Sequence, residues 1–122
     1  MLNECGADYQ LVPVDLQQRE KGSEFLQINP SKIPTLVDGH SRIFETAAIC
    51  LYLGDKFPEA NLAPRIDASE RGRYLSLMVY STSQLEPAMG DALMGVETLP
   101  QRGWTGFETA QDVIEGELGD GA

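Results

Sequence analysis

The sequence predicts an α/β unit followed by a purely helical one, and three stretches carry that prediction. Residues 35–44 hold two short runs of β-formers around Asp38-Gly39, a strong hairpin-turn signal. Residues 47–57 place Ile49, Leu53 and Phe57 at four-residue steps, with Tyr52 three from Ile49, so one helix face is apolar. Further on, Leu75, Met78, Thr82, Leu85, Met89 and Leu93 recur at steps of three and four, the pattern of a long amphipathic helix. A chain of 122 residues with 42% hydrophobic content is long enough to bury a real core.

Taken in order, residues 1–6 read as the last turn of a helix that stops at Gly6, a natural residue just past a helix end. Residues 9–16 alternate, with Val12, Val14 and Leu16 on one face, and predict a strand. Pro13 removes a ladder donor and makes that strand an edge. Residues 17–22 are a polar connector, and residues 23–28 form a short helix anchored by Phe25, Leu26 and Ile28. Asn29-Pro30 stops it, because proline cannot continue a helix and biases its predecessor towards extended backbone. Lys32-Ile33-Pro34 is extended and leads into the hairpin, Thr35-Leu36-Val37 and Arg42-Ile43-Phe44. Glu45-Thr46 marks the passage from strand to helix, with Thr46 placed to cap the first turn.

Phe57-Pro58 ends that helix, and residues 58–64 read as a linker. Asp67-Ala68-Ser69-Glu70 has the form of a capping box before the long helix. Pro87 should kink that helix or end a segment near Glu86. Residues 95–103 break the pattern, and residues 104–118, with Phe107, Ala110, Val113, Ile114 and Leu118, predict one more helix.

The run from Asn29 to Phe57 resembles the glutathione-binding half of the glutathione transferase N-terminal domain, which has a thioredoxin-like fold. The resemblance is carried by Asn29, Pro30, Lys32, Ile33, Pro34, Glu45, Thr46 and the Ile49-Leu51-Tyr52-Leu53 run. It implies a thioredoxin-like domain over residues 1–60 and the first helices of an all-α domain over residues 65–122. It also implies that Pro34 is cis, that the Ile33 backbone pairs with the cysteinyl part of glutathione, and that Glu45 and Thr46 hold the γ-glutamyl end. Lys32 is placed to reach a second carboxylate. The chemistry suits a zwitterionic tripeptide. A carboxylate at a helix N-terminus meets unpaired N–H groups and the positive end of the dipole, while Glu45 offers the opposite charge to an α-amino group.

Aligned with that family, the chain begins inside the first helix, so the first strand and most of that helix are expected to be missing, as are the later C-terminal helices. The family's catalytic Ser, Tyr or Cys lies at the junction of that strand and helix. Cys5 falls too late to be that residue, and no catalytic residue is assigned. The expected function is therefore glutathione binding, with conjugation to a small electrophile weak or lost. The alternative is a non-catalytic binding or assembly module on the same fold, and a truncated product without function of its own is a third reading. A homodimer is what the resemblance implies.

Plainer readings stand beside these. Glu45-Thr46 alone is an ordinary strand-to-helix cap, and only Ile33-Pro34 upstream tips it towards a ligand. Lys32 alone is a solvated lysine, and His40 a solvated loop residue. Cys50 reads as packed and Cys5 as partly exposed; Tyr74, Tyr80 and the methionines read as core or interface; Trp104 reads as a packing anchor. One histidine and two distant cysteines make a metal site unexpected. The same cysteines fit a reducing, cytoplasmic setting. A net charge of −10 repels phosphate backbones and argues against nucleic acid, and no apolar run approaches a membrane span.

Overall fold

The structure, a computed structural model, describes residues 1–14 and 33–119. The chain divides into two compact units, Met1–Ala68 and Ser69–Ala122. The first is mixed α/β and the second is helical throughout.

The first unit opens with one helical turn closed by Gly6. The Ala7 N–H donates to the Leu2 carbonyl at 3.1 Å and the Gly6 N–H to Asn3 at 3.0 Å, with Gly6 at φ 63°. This pair of bonds around a left-handed residue is a Schellman motif, and it satisfies carbonyls that a helix end otherwise strands. The strand expected over residues 9–16 is not formed in its described part. Residues 9–14 carry no ladder, and Tyr9, Leu11 and Val12 are exposed. Alternation prepares a segment to pair but does not supply the neighbour, and among the described residues no strand lies alongside. Residues 15 and 16, the polar connector and the short helix over residues 23–28 lie outside the described residues.

The hairpin is present: β1 (Thr35–Asp38) pairs antiparallel with β2 (Ser41–Phe44), in the register Thr35↔Phe44 to Asp38↔Ser41. Gly39 and His40 are the two turn residues, so His40 sits in the turn itself. Helix α1 (Thr46–Lys56) follows after the single residue Glu45. It buries Ala47, Leu53 and Gly54, with Leu53 at 3% exposure the main apolar anchor. Ile49, Tyr52 and Phe57 flank it, half-buried. A 3₁₀ turn, Pro58–Ala60, closes the unit's regular structure.

In the second unit, α2 (Arg71–Tyr80) continues into a π-helical turn, Ser81–Leu85, and then α3 (Glu86–Leu93). The break falls where Pro87 requires it. Its missing N–H and its ring cannot fit the bond to the carbonyl four residues back, and the wider π turn absorbs the mismatch. The expected capping box is not formed: α2 starts at Arg71, after Glu70, without a side-chain cap. The Asp67 carboxylate is instead engaged by Arg65 Nε at 3.1 Å. Gly95, at φ 65°, ends α3 with a second Schellman pair, Val96 N–H to Asp91 at 2.8 Å and Gly95 N–H to Ala92 at 3.1 Å. Helix α4 (Phe107–Leu118) then packs on the π turn and α3.

The face buried by the long helical run differs from the apolar stripe. Ala88 and Asp91 are buried, as is Ala110 on α4, whereas Leu75, Met89 and Leu93 are 38%, 43% and 80% exposed. Small side chains at Ala88 and Ala110 suit a close helix seam. Met78, Thr82 and Leu85 of the same stripe are half-buried, so the stripe is covered only in part.

Candidate functional site

The site follows from the hairpin register. Thr35 pairs with Phe44, Ile33-Pro34 directly precedes β1 and Glu45-Thr46 directly follows β2, so the two segments leave the same end of the hairpin. The Ile33–Pro34 peptide bond is cis, as the resemblance implies. Ile33, Pro34, Glu45 and Thr46, at this end of the hairpin, are all exposed. Lys32, the remaining residue of the expected site, lies outside the described residues.

Glu45 makes the corner, and its backbone is unusual. It sits at φ 71° and ψ 128°, a combination that L side chains rarely adopt, directly between strand and helix. Such a residue costs roughly 1–3 kcal/mol, and strain of this kind is characteristic of ligand clamps. The Ile49 N–H donates to the Glu45 carbonyl at 3.0 Å, which makes Glu45 the cap position. Thr46 is consequently the first helical residue rather than the cap, a correction to the sequence reading. The Glu45 side chain makes no capping bond, and the first N–H groups of a helix have no acceptor within it. A carboxylate there would gain amide donors, the helix dipole and the Thr46 hydroxyl.

Away from this corner, Asp38 at the hairpin turn gathers two side chains of α1. The Tyr52 hydroxyl donates to Asp38 Oδ2 at 2.7 Å, and Lys56 pairs with the same oxygen. Lys56, and then Tyr52, hold the Asp38 carboxyl below the usual carboxylate range. Asp38 in turn raises the Lys56 ammonium and the Tyr52 phenol above their ordinary values. In the helical unit, buried Asp91 accepts from Trp104 Nε1 at 3.0 Å, with the Thr98 hydroxyl at 3.5 Å and Arg102 Nε at 3.8 Å. Gln84 clasps the same loop by donating to the Gly103 carbonyl at 2.9 Å and accepting from the Thr105 N–H at 3.1 Å. Sequence reading missed both aspartates as tie points. For Asp91 the available signal was an acid three residues from Ala88 on the same helix face.

Cys5 and Cys50 are free thiols, both half-buried. Among the described residues no three His, Cys, Asp or Glu side chains converge as metal ligands, and no helix is long and apolar enough to cross a membrane.

Known proteins share this fold. Residues 1–55 match the family model of the glutathione S-transferase N-terminal domain. A zeta-class glutathione S-transferase of Euphorbia esula is 32% identical over 131 aligned positions, covering 97% of this chain and 58% of that protein. A beta-class enzyme of Sphingomonas chungbukensis superposes with a TM-score of 0.71 at 32% identity, over 98% of this chain and 63% of its own. A sphingomonad glutathione S-transferase complexed with glutathione superposes with a TM-score of 0.66 at 31% identity, over 96% and 58%. The chain thus spans about three-fifths of the length of these relatives. The hairpin and α1 accordingly belong to a thioredoxin-like domain, with the helical unit after it. The chain belongs to the glutathione S-transferase family.

Proposed function

We propose that this chain binds glutathione at the corner formed by Ile33, Pro34, Glu45 and Thr46. The observation that supports the reading is the register, by which the Ile33–Pro34 segment and the start of α1 flank the same end of the hairpin. In this reading the α1 amides and the Thr46 hydroxyl take the γ-glutamyl carboxylate, and Glu45 takes its α-amino group. The Ile33 backbone pairs with the cysteinyl part, and Lys32 meets the glycyl carboxylate. In this reading residues 1–60 do the binding. The sphingomonad relative is complexed with glutathione, which supports glutathione as the substrate here.

The reaction class is conjugation of the glutathione thiol to a small electrophile, in a cytoplasmic, reducing setting that keeps Cys5 and Cys50 as thiols. We propose that the 122 residues alone perform it weakly or not at all. The Cys5 N–H donates to the Met1 carbonyl in the turn that Gly6 ends, and no catalytic residue is assigned among the described residues. Calorimetric titration with glutathione tests the binding: saturable 1:1 heat that disappears in Glu45→Ala supports it, and no heat contradicts it. Turnover of a chromogenic aryl halide at a rate typical of full-length relatives would contradict the weak-catalysis part.

A second reading is favoured by one observation, the exposed stripe of Leu75, Val79, Met89, Leu93 and Met94. A patch of this kind suits a binding or assembly module, including a homodimer. Self-association or partner capture that is indifferent to glutathione would favour it.

A further inference from the structure

We propose that Tyr52, through its hydrogen bond to Asp38, is a positioning residue for glutathione: with Lys56 it pins the far end of α1 to the hairpin turn and so sets the angle at which the helix mouth meets the ligand. The inference rests on the glutathione reading above. It begins from how α1 is held. At its near end the helix is joined to β2 by Glu45 alone, a corner in an unusual backbone conformation. Along its length it packs on β2, but Ala47 and Leu53 are the buried apolar residues of this unit among those described. So small a core resists separation better than it resists tilting.

The far end is where a second restraint is needed, and Asp38 supplies it. The Tyr52 hydroxyl and the Lys56 ammonium converge on one carboxylate oxygen, Asp38 Oδ2. Lys56 also lies 5.8 Å from the Tyr52 ring centre and 5.9 Å from that of Phe57, which holds its stem against the helix end. The chain from Asp38 around the turn, along β2, through Glu45 and up α1 is thus closed into a triangle. Tyr52 lies about 9 Å along the axis from Thr46, at 1.5 Å per residue. Slack of an ångström there tilts the mouth by several degrees, which matters where donors must converge on a carboxylate.

The tie is half-exposed, with the Lys56 and Asp38 side chains at 40% and 32% exposure. Exposed pairs of this kind add little to stability. Its consequence should therefore appear in ligand geometry more than in folding, and this separates positioning from a purely structural role.

The test compares the 122-residue chain with Tyr52→Phe and Asp38→Asn, titrated with glutathione and with cysteinylglycine, which lacks the γ-glutamyl group. Titrations run well below the unfolding midpoint, with helix content checked by circular dichroism. The expected result is a rise in Kd for glutathione of roughly threefold to tenfold in Tyr52→Phe, the scale of one misaligned hydrogen bond. The Kd for cysteinylglycine should stay unchanged. An unchanged glutathione Kd, or an equal loss for both ligands, overturns the positioning role while leaving the glutathione reading standing. Absence of glutathione binding by the parent chain overturns both. Should Asp38→Asn fail to fold, Tyr52→Phe decides, since it removes one hydroxyl and keeps the ring.

Discussion

Each half of the molecule ties a loop to a helix through an aspartate, and the two ties use the same parts in different surroundings. In the hairpin unit Asp38 accepts from Tyr52 and pairs with Lys56, which lies over the Tyr52 ring. In the helical unit Asp91 accepts from Trp104, and Arg102 lies 5.0 Å from the Trp104 ring centre. The surroundings differ: the Asp38 side chain keeps 32% of its surface and Asp91 keeps 7%. A buried carboxylate withdrawn from water makes its partners obligatory, whereas an exposed one is replaced by solvent at little cost. The same chemistry therefore holds the fold together in one place and aims a helix in the other.

The largest expected effect breaks the buried tie. Asp91→Ala leaves the Trp104 N–H without its acceptor and frees the loop between α3 and α4, for a loss of about 2 kcal/mol in urea unfolding. A loss no greater than that of Asp38→Ala in the same assay would abolish the contrast between the two ties.

Next comes the strained corner. Glu45→Gly relieves a conformation that costs other residues, and should raise stability by about 1 kcal/mol while glutathione binding falls below detection. A variant that loses stability would show that the Glu45 side chain supports the fold rather than the ligand. Thr46→Ala sharpens the point. Because Thr46 is the first helical residue and not the cap, stability should change by less than about 0.5 kcal/mol, and glutathione Kd should rise roughly tenfold.

The smallest effect is the pH dependence of the exposed tie. Asp38 is held below its ordinary value, so its contribution is present above about pH 3.9 and fades as pH falls through the lowered folded value. Lys56 is held above its ordinary value, so its contribution is present below about pH 10.4 and fades as pH rises through the raised folded value. Thermal unfolding of the parent against Asp38→Asn should show a small difference across that window, vanishing at both ends and shrinking with salt.

What could be read from the sequence, and what could not, divides along similar lines. Local chemistry was legible. Asp38-Gly39 between β-formers located the hairpin, Gly6 located a chain reversal, and Pro87 located the break in the long helix. The cis bond at Ile33–Pro34 agrees with what the motif implies. Features that depend on a partner were not legible. The alternation in residues 9–14 prepared a strand that has no neighbour among the described residues. Asp67 lost its capping role to Arg65, a competition that spacing does not reveal. The stripe from Leu75 to Leu93 announced a helix, while the fully buried positions of that run, Ala88 and Asp91, are not among its members. The Asp91 tie joins residues 13 positions apart across a loop, which no periodicity records.

The account turns on whether the corner at the mouth of α1 receives glutathione, and amide chemical shifts in a ¹⁵N-labelled chain test this directly. Titration with glutathione should move the Ile33, Thr46, Ala47 and Ala48 amides in a saturable way, while those of α4 stay in place. Saturable shifts confined to the helical unit, or none at all, would contradict it.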